Sequence, residues 1–212
     1  MAQLNTTANR TTGDIYCSGE VINNYESKPT TLIGYMASAD HAHNLRLILP
    51  ALIRILDKHP KVNFELFGSM PQPEQLQRFG SRISIAPPIA DYTHFLKEFA
   101  SRKWDVGLCP LVPIPFNKMK AETKWVEYSS CGIAVIASKN TAYDRCCADG
   151  CGLLVETEDD WYDAMDTLIV NTEKKSEIVE NAQRKITEKY SIDSLRDQVL
   201  SIFSIAKTKL EA

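Results

Sequence analysis

The sequence has 212 residues, of which 44% are hydrophobic and 24% charged, and its formal net charge is −3. This length and balance suit one large or two small globular domains with a full apolar core. The negative charge argues against a general nucleic-acid binder, which needs a basic surface. No apolar run approaches the roughly 20 residues of a membrane-spanning helix. The N-terminus lacks the pattern of a signal peptide, so we expect a cytoplasmic protein.

The chain divides into a polar start and a folded remainder. Residues 1–28 show no sustained periodicity, which predicts a linker or tail, and residues 29–212 are predicted to form the domain. Apolar runs of strand type then alternate with amphipathic segments of helical type. The predicted strands cover residues 30–36, 61–68, 82–89, 104–111 and 134–138, and the apolar run 153–156 follows a glycine turn. The predicted helices cover residues 44–59, 74–79, 93–100, 143–148, 161–170, 174–190 and 192–209, and a further amphipathic helix lies between Phe116 and Gly132.

Two residues set boundaries within this pattern. Asp91 is a suitable N-cap for the helix at residues 93–100, because its carboxylate can accept from a free backbone N–H. Pro50 is expected to kink the helix at residues 44–59 or to mark where it effectively begins.

The alternation of apolar strands and helices predicts the fold class. Five near-continuous apolar strands separated by helices indicate an α/β domain with an open, doubly wound parallel sheet of the Rossmann-like type. In such a sheet, ligands bind beyond the carboxyl ends of the strands, where helix N-termini also point. Two strand-to-helix junctions at that edge are rich in polar side chains.

The first polar junction runs from Gly34 to Asn44. Gly34 would let the backbone approach a ligand, and the following helix N-terminus offers N–H groups to an anion. His41 or His43 could add a donor, and the alternative is that both are solvated loop histidines. The junction lacks the glycine spacing of dinucleotide-binding and P-loop motifs.

The second polar junction runs from Asn117 to Glu127. Lys120, Lys124 and Glu127 are spaced at i, i+4 and i+7, which predicts one helix face. Lysine amines near a helix N-terminus can hold a diphosphate, and a carboxylate can accept two hydrogen bonds from vicinal sugar hydroxyls. The alternative is a solvated charged face supported by i, i+4 pairs.

The six cysteines leave two interpretations open. Cys146, Cys147 and Cys151 lie close together in the sequence, but no histidine or second CxxC pair accompanies them at zinc-site spacing. We favour reduced structural thiols over a metal site. We expect neither a metal nor another cofactor, because the lysine amines of the second junction can neutralise a bound diphosphate.

Residues 30–205 resemble the C-terminal, nucleotide-sugar-binding domain of GT-B-fold glycosyltransferases of the glycogen-synthase-like, group 1 type. The most specific segment is FNKMKAETKWVEYSSCGIAVIAS at residues 116–138, which resembles the family's glutamate-bearing loop and helix followed by a glycine and a strand. The resemblance implies that Glu127 binds the ribose hydroxyls of the donor. It also implies that Ile89, in the turn 88–92, lines the base pocket. By the same resemblance, Asn117 and His41 or His43 would lie near the sugar or the diphosphate. Lys120 and Lys124 would lie there too and would have a catalytic role.

The resemblance implies transfer of a sugar from a nucleotide sugar to a glycan or lipid-linked acceptor in cell-surface polysaccharide synthesis. The partners would then be the nucleotide sugar, an N-terminal GT-B domain or partner chain, and a membrane reached through the acceptor. Two departures favour the alternative of a non-catalytic binding or interaction module. Met119 stands where relatives have the first of two glutamates, and the sequence contains no N-terminal Rossmann half.

Overall fold

A computed structural model describes residues 30–210, so the predicted tail at residues 1–28 lies outside the described part of the chain. In the described part, six parallel strands form one sheet in the order β3-β2-β1-β4-β5-β6. The strands are β1 (Thr31–Met36), β2 (Val62–Phe67), β3 (Ile83–Ala86), β4 (Val106–Cys109), β5 (Ala134–Ser138) and β6 (Leu153–Val155). The expectation of five strands is therefore wrong. The sixth has only three residues, which is too short for a clear strand pattern.

The helices follow the predicted order. They are α1 (Ala42–Lys58), α2 (Tyr92–Ser101), α3 (Pro115–Lys118), α4 (Thr123–Ser130), α5 (Tyr143–Cys146), α6 (Glu158–Val170), α7 (Thr172–Lys189) and α8 (Ile192–Leu210), and two 3-10 helices cover Ala39–His41 and Glu74–Arg82. No helix in residues 30–210 has the length and apolar character needed to span a membrane.

The two predicted helix boundaries have different outcomes. The cap at Asp91 is confirmed, because its Oδ1 accepts a hydrogen bond from the backbone N–H of His94 at 2.7 Å. Pro50 does not mark the start of α1, because that helix begins eight residues earlier at Ala42 and continues through the proline. Pro50 is exposed, so its ring lies on the solvent side of the helix.

Helices cover both faces of the sheet, as the doubly wound prediction requires. One core joins the sheet to α1 and α6, with Leu52 and Trp161 among its fully buried side chains. The other core packs α2, α4 and α7 on the opposite face and contains Phe99, Trp104 and Trp125. The apolar faces of the strands are thus buried on both sides, which is why their sequences are continuously apolar.

The strand order reverses direction between β1 and β4, which are neighbours in the sheet. Gly34 of β1 pairs with Gly107 of β4 and, on its other side, with Glu65 of β2. The chain continues from β1 toward one edge and from β4 toward the other. Such a switch point opens a crevice beyond the carboxyl ends of the two strands, where open α/β sheets bind ligands.

Candidate ligand-binding cleft

A cleft of about 360 Å³ lies beyond the carboxyl ends of the strands. Its walls come from the loop after β1, the loop after β2, the turn after β3 with the start of α2, and the first turns of α4. The lining residues are Met36, Ala37, Ser38, His41, Phe67, Gly68, Ser69, Pro88, Ile89, Phe95, Thr123, Lys124 and Glu127. The two polar junctions predicted from the sequence therefore meet in one place.

His41 brings a half-buried imidazole to this cleft from the end of the first 3-10 helix. Its Nδ1 lies 2.9 Å from Nδ2 of Asn44, and its Nε2 lies 3.9 Å from Oδ2 of Asp40. Burial lowers the pKa of His41 and the positive charge of Lys124 lowers it further, whereas Asp40 acts in the opposite direction. These effects favour a neutral ring at neutral pH.

Glu127 places a carboxylate in the opposite wall, on α4. Glu127 is only 6% exposed, and its Oε1 accepts a hydrogen bond from the Tyr92 hydroxyl at 3.2 Å. Burial raises the pKa of Glu127, and both the Tyr92 hydroxyl and the charge of Lys124 oppose that rise. A desolvated carboxylate of this kind gains from further hydrogen-bond donors, which a ligand hydroxyl could supply.

Lys124 places a positive charge close to both walls of the cleft. It lies in the first turn of α4, half-buried, and its charge acts on both His41 and Glu127. The exposed N-terminal N–H groups of a helix and a lysine amine together attract anions. The cleft therefore combines a cation, a neutral imidazole and a buried carboxylate, with Pro88 and Ile89 as an apolar surface.

The predicted common helix face of Lys120, Lys124 and Glu127 is wrong. The chain forms two helices here, and Lys120 lies in the connection between α3 and α4 because α4 begins only at Thr123. Its Nζ lies 5.3 Å from the centroid of the Phe116 ring. Its charge still reaches the cleft, because it lowers the pKa of both Asp40 and His41.

Asn117 lies outside the cleft lining and has a structural contact instead. It is 3% exposed, and its Nδ2 donates to the backbone carbonyl of Val112 at 2.8 Å. The backbone carbonyl of Asn117 accepts from the Ala142 N–H at 3.2 Å. The amide predicted to meet a ligand thus holds the loop between β4 and α3. His43 is exposed and its ring stacks beside that of His41, with a centroid distance of 6.4 Å.

Gly34 is also placed differently from the expectation. It lies inside β1, two residues before the strand ends, and the Trp104 ring covers it so closely that a Cβ would collide with the indole. The glycine in the cleft lining is Gly68, after β2, which has a φ of 128° and faces the Ala37 carbonyl. Gly34 therefore serves packing of the sheet rather than approach of a ligand.

Asn44 is a contact residue to which the sequence analysis gave no role, whereas Tyr92 ends the turn 88–92 that was expected to line the base pocket. Asn44 is fully buried, and besides its contact with His41 its Oδ1 accepts from the Val112 N–H at 3.1 Å. Tyr92 is 54% exposed and stacks on Phe95 at 5.7 Å. What the sequence did not predict for Tyr92 is the hydrogen bond from its hydroxyl to Glu127.

The cysteines in the described residues are buried and free, and Cys17 lies outside that range. Burial raises the pKa of Cys109 well above its ordinary range, which keeps it a thiol. Within residues 30–210, no group of His, Cys, Asp and Glu side chains is arranged to hold a metal ion. Trp104, Trp125 and Trp161 are all at most 2% exposed.

The fold and cleft define a class: a Rossmann-like α/β domain with a cleft at its switch point, which is half of a GT-B fold. The family model described as glycosyl transferases group 1 matches residues 30–171. Because the match covers well over half of the chain, the protein belongs to this family. Curated protein sequences give no match.

Solved structures share the fold. A HepE structure from Anabaena in complex with UDP-glucose has 19% identity and a TM-score of 0.64, over 82% of this chain and 49% of that one. The C-terminal domain of the group 1 glycosyl transferase LpcC from Francisella tularensis has 23% identity and a TM-score of 0.61, over 77% and 88% of the two chains. The present chain thus spans about half the length of HepE.

Proposed function

We propose that this chain is the donor-binding half of a glycosyltransferase that takes a nucleotide-diphosphate sugar into the cleft. Membership of the glycosyl transferases group 1 family supports the reaction class. The HepE structure, which holds UDP-glucose on a similar fold, supports the donor class. The observation that carries the proposal is the meeting of Glu127, Lys124 and His41 at the switch point of the sheet.

Each wall suits one part of such a donor. Glu127 can accept two hydrogen bonds from the ribose diol, since its carboxylate is buried and the Tyr92 hydroxyl contacts only its Oε1, at 3.2 Å. Pro88 and Ile89 offer an apolar surface to the base. We assign the anionic diphosphate to the side of Lys124 and His41, whereas Asn117 and Gly34 lie outside the cleft lining.

Catalysis would depend on the negative charge that develops on the leaving diphosphate. Preorganised donors and cations stabilise such charge strongly in a partly desolvated site. Lys124 and the α4 N-terminus would supply this stabilisation directly, and Lys120 from the adjoining loop through its field. These groups can neutralise the diphosphate without a metal ion, which we propose is not required.

The rest of the enzyme would be an N-terminal GT-B domain or a partner chain that brings the acceptor. The chain covers half of HepE, which leaves room for such a second half. Helix α8 offers an apolar surface for that contact: Ile192, Ile202 and Phe203 are each at least 65% exposed. We propose a glycan or lipid-linked acceptor of cell-surface polysaccharide synthesis, reached from the cytoplasm and bringing the protein to the membrane.

One observation favours a second candidate, a binding module without turnover. Met119, directly after α3, is 86% exposed, and the resemblance to the family places the first glutamate of the pair at this position, so this chain lacks that carboxylate. In that case the cleft would bind the nucleotide, and sugar transfer would fail even in the presence of an N-terminal half.

The donor proposal is tested by calorimetric titration of the chain with UDP, GDP, dTDP and ADP. We expect micromolar binding of one nucleotide, reduced at least tenfold in Glu127→Gln because two charge-assisted hydrogen bonds weaken. Glu180→Gln, on the exposed side of α7, is the matched control and should bind as the parent does. No binding of any nucleotide, or equal binding by Glu127→Gln, would contradict the ribose assignment.

A further inference from the structure

One buried side chain connects the two loops that meet at the switch point. Asn44, in the first turn of α1, is 0% exposed. Its Nδ2 lies 2.9 Å from Nδ1 of His41, and its Oδ1 lies 3.1 Å from the backbone nitrogen of Val112, in the loop after β4. The two contacts use opposite ends of the same amide.

The chemistry of these three groups fixes where each hydrogen lies. The backbone N–H of Val112 can only donate, so the Asn44 atom facing it must be the oxygen. The amide nitrogen of Asn44 therefore faces His41, and an amide nitrogen also can only donate. Nδ1 of His41 must then accept with its lone pair, so a neutral ring carries its hydrogen on Nε2. Assignments of this kind follow from the hydrogen-bond network.

We propose that Asn44 is a positioning residue that holds His41 as a neutral Nε2–H donor for a phosphate oxygen of the ligand. The proposal deepens the donor-binding function and rests on it. His41 lines the cleft, and its Nε2 lies 3.9 Å from Asp40, beyond hydrogen-bonding distance. The ring can thus offer one N–H to a ligand while Nδ1 stays committed to the protein.

The charged groups around His41 are consistent with this assignment. Asp40, which accepts a hydrogen bond from the Ser38 hydroxyl, is the anion nearest to the ring. Lys124, Lys120 and His43 act in the opposite sense, and together with burial they lower the pKa of His41. The diphosphate would then meet one fixed cation, Lys124, and one neutral donor.

Replacing Asn44 by Asp tests the inference with almost no change in shape. One carboxylate oxygen can still accept from Val112, so the tie between the loops is retained. The other oxygen cannot donate and would instead accept from Nδ1–H of His41. The variant should therefore move the neutral proton from Nε2 to Nδ1 and raise the pKa of the ring.

The first measurement is long-range ¹H–¹⁵N NMR of the histidine rings in the ligand-free chain, with His41→Gln for assignment. At pH 8 we expect the His41 signals of an Nε2–H tautomer in the parent and of an Nδ1–H tautomer in Asn44→Asp, while exposed His43 stays unchanged. The parent spectrum decides the tautomer even if the variant does not fold. An Nδ1–H ring in the parent, or identical His41 signals in both proteins, would overturn the inference.

The second measurement compares UDP affinity of the two proteins at pH 8 and pH 6. At pH 8 the variant should bind about tenfold more weakly, because its His41 presents a lone pair to phosphate in place of a hydrogen-bond donor. At pH 6 its imidazolium donates from both nitrogens, so the deficit relative to the parent should disappear. A deficit that is equal at both pH values would show that Asn44 acts on structure alone. If the NMR result holds but the parent binds no nucleotide, the donor proposal fails and the tautomer assignment stands.

Discussion

A substitution at Gly34 distinguishes a packing role of this glycine from a role in ligand contact. In Gly34→Ala, the new methyl group would enter the space of the Trp104 indole. That ring cannot move easily, because its Nε1 donates to Glu65 Oε2 at 2.6 Å and its ring meets Phe99 edge-on at 5.0 Å. Overpacking of a rigid core costs about 1–3 kcal/mol, and we expect the upper part of that range. For a domain of this size each kcal/mol lowers the Tm by about 2–4 °C, so 2–3 kcal/mol predicts a loss of roughly 4–12 °C.

The assay is urea and thermal unfolding followed by tryptophan fluorescence, with UDP titration of the folded variant. Trp104→Phe is the second arm of a double-mutant cycle, because a smaller ring leaves room for the methyl group. The cost of Gly34→Ala should fall in that background, while nucleotide affinity changes little. The packing explanation would be refuted if Gly34→Ala kept its unfolding midpoint but lost nucleotide binding.

Two further predictions concern hydrogen-bonded carboxylates. Tyr92→Phe removes the hydroxyl that donates to Glu127, so the pKa of Glu127 should rise further above its ordinary value; ¹³C NMR titration of the side-chain carboxyl measures this, and an unchanged pKa would mean that the contact is not formed in solution. Asp166 accepts from Lys58 at 2.9 Å and from His59 at 2.6 Å, contacts that hold its pKa below the ordinary value. A depressed carboxyl pKa gives stability that is present above the unfolded pKa and lost as pH falls through the folded one, so Asp166→Asn should cost about 1 kcal/mol at pH 7 and progressively less below pH 4. Urea unfolding at both pH values checks this, and a pH-independent cost would contradict it.

The fold could be predicted because its signals are local. Apolar strands that are buried on both faces have continuous apolar sequences, and the Asp91 cap lies next to the helix that it begins. β6 was missed as a strand because it has three residues at the edge of the sheet. The break before α4 has no local cap signal, because the side chain of Glu122 at that boundary makes no cap hydrogen bond and accepts instead from Tyr190, 68 residues away, at 2.7 Å.

The site was predictable in outline and not in detail. His41, Lys124, Glu127 and Ile89 meet in one cleft, because the carboxyl ends of parallel strands share an edge, and their ligand roles stay predictions. We predicted that Gly34 lets the backbone approach a ligand. Its packing against Trp104 could not be predicted, because Trp104 is distant in the sequence.

The misplaced Asn117 still belongs to the same network as the cleft. Val112 has its N–H bound by Asn44 and its carbonyl bound by Asn117, so two asparagines fix both polar groups of one residue. The series from Asn117 through Val112 and Asn44 ends at the ring of His41. If Asn44 orients His41 as proposed, Asn117→Ala should also shift the ring signals of His41, although Asn117 does not line the cleft. Polar residues that lie in one sequence segment can thus have different roles: some line the cleft, and others hold the cleft-lining side chains in position.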